Sequence, residues 1–104
     1  MKRIAVAVHG NDISAQARTY AELRLFSTLS QHAPEFQHAA AVLREARDAG
    51  VWDAFECDVT VTLESAGTLR VRAAAAHVYA AINDAVERLA DVLGAAATEE
   101  RRFG

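Results

Sequence analysis

The sequence predicts an α+β fold of order β-α-β-β-β-α, a four-stranded mixed sheet with both helices packed on one face. Three observations carry this. Phe55, Cys57, Val59, Val61 and Leu63 recur at period two, opposite Glu56, Asp58, Thr60, Thr62 and Glu64, which is the pattern of a strand with one buried and one solvated face. A turn at Ala66-Gly67 and a return through Leu69-Arg70-Val71-Arg72 make that strand the first arm of a hairpin. After the hairpin, Val78, Ala81, Ile82, Ala85, Leu89, Val92 and Leu93 follow a helical period and form one apolar stripe.

From the N-terminus, Arg3 to Val8 alternates as a first strand, with Ile4, Val6 and Val8 on one face and Ala5 and Ala7 on the other. Asn11-Asp12 breaks it. Asp12 is the expected N-cap of a helix reaching about Gln31, because its carboxylate accepts from free first-turn amides at the positive end of the dipole. Pro34 closes that helix. Ala17, Ala21, Leu25 and Leu29, with Tyr20 beside them, form its buried stripe, and Leu23 and Phe26 fall outside it as an exposed patch. Phe36 to Glu45 is the second strand, with Ala39, Ala41 and Leu43 on one face. Asp48-Ala49-Gly50 separates it from the third, and Trp52, beside Phe55, is expected as a lid on the core edge. The last helix is expected to stop at Gly94, leaving residues 95–104 as a flexible polar tail after a single domain of residues 1–94. One helix between the first two strands suggests a parallel pair with a right-handed crossover, and the shorter connections suit antiparallel pairing. Both helices then share a face, because the Thr, Glu and Asp positions solvate the other.

Length and composition bound the function. A chain of 104 residues, 52% of them hydrophobic, supports one core. No apolar run approaches the roughly 18 residues of a membrane span, and the N-terminal stretch from Met1 to Val8 is too short for a secretory signal, so a cytoplasmic location is expected. Cys57 is the single cysteine, which excludes an intrachain disulfide and any Cys-x-x-Cys motif. The net charge of −3 is mildly acidic and by itself points away from nucleic acid.

The residues offer no catalytic constellation. His9, His32, His38 and His77 stand on different elements without metal-ligand spacing and are expected at the surface. Glu87 and Asp91 lie one helical turn apart on a solvated face, with no third ligand. Gly10 follows a strand alone, without a phosphate-binding glycine pattern, and Cys57 has no histidine at a nucleophile spacing. No enzyme, cofactor, metal or small-molecule substrate is expected.

One ordered set of residues carries more. Asp12-Ile13-Ser14 with Arg18, then Gly67, then Val78-Tyr79-Ala80-Ala81-Ile82 with Arg88 and Leu89 resembles the ribosome hibernation-promoting factors, also called ribosome-associated inhibitors or sigma-54 modulation proteins, in their short form. The same element arrangement is similar to that of double-stranded RNA-binding domains. The resemblance covers nearly the whole chain. It implies a cytoplasmic stress-response protein that binds small-subunit rRNA and blocks the mRNA and tRNA path, as a monomer or weak homodimer. By position it implies that Arg18 and Arg24 on the first helix and Arg88 on the second meet rRNA phosphates, a task suited to the planar arginine fork. The residues alone also admit ordinary four-residue ion pairs, Arg18 with Glu22 and Arg88 with Asp84.

This chain departs from the family after Arg88, where the family continues with lysines and arginines and this sequence has Asp91 and then Gly94-Ala95-Ala96-Ala97. Asp84, Glu87 and Asp91 against Arg88 leave that helix a net −2, a surface that repels phosphate. Arg101 and Arg102, beside Glu99 and Glu100, are expected to replace part of the lost charge from the tail. Arg70 and Arg72 share the solvated face of their strand and are expected as a second basic spot away from the helices. The alternative function is a protein-interaction or homodimerisation module on the same scaffold, with rRNA binding lost and Leu23 and Phe26 as its apolar contact.

Overall fold

The computed structural model describes residues 5–10, 13–33, 36–46, 54–63 and 67–103, with side chains described as far as Ala95 along the last helix. The elements are β1 (Ala5–His9), α1 (Ala15–His32), β2 (Phe36–Ala46), β3 (Ala54–Leu63), β4 (Gly67–Ala75) and α2 (Val78–Phe103). The sheet order is β1-β2-β3-β4. β1 and β2 pair in parallel across the α1 crossover, and the other two pairs are antiparallel. The predicted α+β order and mixed sheet are therefore the observed ones.

The register explains the core. Inward side chains form cross-strand rows, Val6-Ala39-Val61-Leu69, Val8-Ala41-Val59-Val71 and Leu43-Cys57-Ala73. α1 lies over β1 and β2, α2 lies over β3 and β4, and the two helices touch each other. α1 contributes Ala17, Ala21, Leu25, Thr28 and Leu29 to the buried layer, and α2 contributes Ala81, Ile82, Ala85, Val86, Leu89 and Leu93. Alanine at so many facing positions lets helix and sheet backbones approach closely. It also leaves the apolar area to a few large side chains.

Several local expectations are corrected. The N-cap of α1 is Ser14, whose hydroxyl accepts from the Ala17 amide at 3.1 Å, in place of Asp12. Asp12, Pro34, Trp52, Ala66 and the Asp48-Ala49-Gly50 connection lie outside the described residues. The last helix does not stop at Gly94 but runs to Phe103. An interior glycine costs a helix only about 1 kcal/mol relative to alanine, and the three alanines that follow are the strongest helix formers, so propagation continues. Val92 is 38% exposed and Val86 takes its expected place in the core.

Two glycines have positional reasons. Gly67 opens β4 at φ 76°, a left-handed conformation that suits glycine. Gly10 follows β1, where a Cβ would stand 2.9 Å from Ile13 Cγ1 and 3.0 Å from the Leu43 carbonyl oxygen. Because one of those neighbours is backbone, Gly10→Ala is expected to destabilise by about 1–3 kcal/mol. Urea unfolding checks this; an unchanged midpoint would show that the β1–α1 connection absorbs the methyl group at no cost.

Candidate nucleic-acid interface

α1 carries the first group of predicted residues, about 120° apart round the helix and each next in sequence to a residue of the buried stripe. Arg18 stands in the turn that Ser14 caps, half-buried, its Nη1 donating to the Gly10 carbonyl at 3.4 Å. Arg24 lies six residues further along α1, also half-buried, and its Nε is buried with no hydrogen-bond partner. The pairs Arg18–Glu22 and Arg88–Asp84 do not form; the ion pairs among the described residues include Arg44–Glu56, Arg70–Asp58 and Arg72–Asp58.

Between the helices, Tyr20 and Tyr79 meet edge to face at 5.1 Å, and the Tyr20 hydroxyl donates to Asn83 Oδ1 at 2.7 Å. This contact fixes how α1 sits against α2. An apolar groove of about 490 Å³ opens beside it, lined by Ala15, Gln16, Thr19, Tyr20, Leu23 and Tyr79. Leu23 is 65% exposed and Phe26 45%, so the sequence patch outside the buried stripe is a real surface feature.

Arg88 is not with Arg18 and Arg24. It lies nine residues after Tyr79, which at about 3.6 residues per turn is half a turn round α2, on the flank away from α1. There it lines a cavity of about 540 Å³ with Arg70, Val71, Arg72, Asp91 and Val92. The expectation that Arg70 and Arg72 form a spot away from the helices is corrected: they share this cavity with a residue of α2. Arg101 and Arg102 fall on the last turns of α2, and their side chains lie outside the described ones.

The outer face of the sheet holds a residue that strand alternation identifies only as a solvated position. Asp58 accepts from Arg70 Nε at 3.0 Å and Nη2 at 2.6 Å, and from Arg72 Nη2 at 3.3 Å. It is on the open face yet only 8% exposed, because the two guanidinium groups cover it. The bidentate Arg70 contact, with Arg72 adding to it, holds its carboxyl down at about 2 against the desolvation that opposes ionisation. The strand register is the available signal: pairing Leu63 with Gly67 puts Asp58 directly opposite Arg72 and next to the Thr60–Arg70 pair. Cys57, on the inner face, is 1% exposed, and burial with Asp58 beside it pushes its thiol up to about 12. It is an inert core thiol in this setting.

Among the described residues no group of three or more His, Cys, Asp or Glu side chains is placed to hold a metal ion, and His9, His32, His38 and His77 are exposed. No described helix is long and apolar enough to cross a membrane.

The family model described as Sigma 54 modulation protein / S30EA ribosomal protein matches residues 4–99. Among solved structures, the Protein Y N-terminal domain of Thermus thermophilus is 26% identical, with a TM-score of 0.66 over 86% of this chain and 93% of that one. A ribosomal subunit interface protein from Coxiella burnetii shares the fold, with 19% identity and a TM-score of 0.73 over 91% of this chain and 97% of that one. No curated protein matches the chain.

Proposed function

We propose that this chain, which belongs to the sigma 54 modulation protein / S30EA ribosomal protein family, is a cytoplasmic, ribosome-associated translation inhibitor that binds small-subunit rRNA and occupies the mRNA and tRNA path without catalysis. The observation that carries the reading is that α1 presents two half-buried arginines, Arg18 and Arg24, neither held in an ion pair with a described residue. Arg18 and Arg24 act as phosphate contacts from α1. Arg88 acts from the far flank of α2, and Arg101 and Arg102 from its C-terminal turns. Likeness to the Thermus Protein Y domain supports the reading, as does a fold shared with a ribosomal subunit interface protein.

Exposure of Leu23 and Phe26 favours a second reading, a protein-binding or self-associating surface on α1. Salt separates the two. Phosphate contacts release counterions and weaken steeply as salt rises, whereas apolar contacts do not.

The test is co-sedimentation with ribosomes and isolated small subunits at low and high monovalent salt. Wild-type chain is expected to travel with the small subunit at low salt and to leave it at high salt. Arg18→Glu with Arg24→Glu is expected to weaken binding by at least about tenfold, two phosphate contacts having become repulsions. A glutamate at position 18 suits the helix dipole, whereas position 24 is mid-helix and half-buried, so circular dichroism of the variant accompanies the binding test and binding is read from folded protein. Unchanged binding by that variant would remove both arginines from the interface, and salt-independent binding would favour the apolar surface.

A further inference from the structure

We infer that the free edge of β4, together with the outer flank of α2, forms a second RNA-phosphate wall built from Arg70, Arg72 and Arg88. This rests on the proposal that the partner is rRNA and adds a contact surface to it.

β4 is the last strand of the sheet, paired with β3 on one side only. Arg70 and Arg72 project from its outer face, their side chains 63% and 54% exposed, while Arg88 reaches the same cavity from α2 on the inner side. Three guanidinium groups therefore flank one open strand edge from both sides. Their positioning is built rather than incidental, because a nearly buried carboxylate holds two of them. Asp58 engages Arg70 through Nε and Nη2 and leaves Nη1 outside the pair, and it engages Arg72 through Nη2 alone. Asp58 is a positioning residue: it fixes the forks against the sheet and removes much of the rotamer freedom that two long exposed side chains would otherwise lose on binding. Arg88 makes no ion pair with a described residue and lies ready for an anion.

The cavity of about 540 Å³ is open, as a wall for a backbone passing across it requires. Charge favours phosphate over a neutral occupant. Asp58 offsets one of the three arginines and Asp91, on the same wall, offsets another, which leaves a net positive edge. Along α2 from Asp84 to Asp91 the exposed Asp84, Glu87 and Asp91 outnumber Arg88, so on that stretch phosphate is attracted where β4 adds its two arginines. The sequence deficit on α2 is thus met from the neighbouring strand.

The experiment measures binding of small subunits, and of a short uridine oligonucleotide, across a salt series. It compares wild type, Arg88→Gln, and Arg70→Gln with Arg72→Gln. Because the double variant strands the Asp58 carboxylate, a triple variant with Asp58→Asn keeps the test valid if the double fails to fold. Loss of the two β4 arginines is expected to lower the slope of log K against log salt by between about 1 and 2, and loss of Arg88 by about 1. Asp91→Asn is expected to tighten binding. Wild-type binding with a slope unchanged in the triple variant would overturn the β4 wall and leave the α1 reading standing. A wild type that binds neither subunit nor oligonucleotide would overturn both. Capture of poly-glutamate without capture of the oligonucleotide would assign the wall to an acidic protein segment and overturn the proposal.

Discussion

Leu89→Ala is expected to lower the unfolding free energy by about 2–5 kcal/mol, a large share of the roughly 5–15 kcal/mol available to a domain of this size. Leu89 is fully buried on the sheet-facing stripe of α2. The buried set includes Ala17, Ala21, Ala39, Ala41, Ala73, Ala81 and Ala85, while the largest fully buried side chains are Leu25, Leu29, Leu43, Ile82, Leu89, Val59, Val61 and Cys57. With alanine at so many facing positions, backbones already lie close and have little room to close over a new cavity. The cost should therefore fall in the upper part of the range, where the void persists. Val92→Ala, three residues further along the same helix but 38% exposed, is the comparison and should change stability by less than about 0.5 kcal/mol. Urea unfolding of both variants decides the matter. Equal shifts would mean that α2 is rotated from the orientation described, with Val92 inward.

That pair also shows where the sequence is informative. Strand periodicity in β3 is legible because a residue at period two has only two places to go, and the hydrophobic set Cys57, Val59 and Val61 chooses the face. A helix gives a weaker constraint. Along α2, Val86 and Val92 both border the apolar stripe, and only docking against β3, β4 and α1 decides that Val86 enters the core. Helix ends are weaker still. Asp12 and Ser14 both belong to the N-cap repertoire, and the observed choice turns on which side chain meets a free amide, which for Ser14 is that of Ala17. Gly94 carries a stop signal that three following alanines outweigh. At the candidate interface, Arg18 and Arg24 are legible as residues of one helix, but the flank on which Arg88 emerges depends on the Tyr20–Tyr79 and Tyr20–Asn83 contacts between helices. No single-helix pattern contains that information. Asp58 was hidden for a different reason: alternation assigns it to the solvated face, which is correct, while its burial comes from arginines on the next strand.

Asp58 in turn makes acid sensitivity a reporter of the β4 edge. Its carboxyl ionises near 2 in the folded chain against an ordinary value of 3.8, with the Arg70 hydrogen bonds as the main cause. A lowered folded pKa means that the native state resists a proton which the unfolded chain accepts. The associated stability is fully present above about pH 4 and is lost as pH falls towards about pH 2. From the size of the displacement, and discounting for the exposure of both arginine partners, the loss is on the order of 1–2 kcal/mol. Asp58→Asn should give up a comparable amount at neutral pH, because an amide offers Arg70 one acceptor where the carboxylate offers two. Its stability should then fall less steeply across the acid window. Urea midpoints for both proteins, taken from neutral pH down to about pH 2, separate this group from the other carboxylates, which titrate in both. Parallel curves would show that Asp58 is not held ionised by Arg70 and Arg72. Arg70, whose own charged state the pair favours, would then swing free at the sheet edge, and the ordering that makes β4 a fixed phosphate wall would be absent.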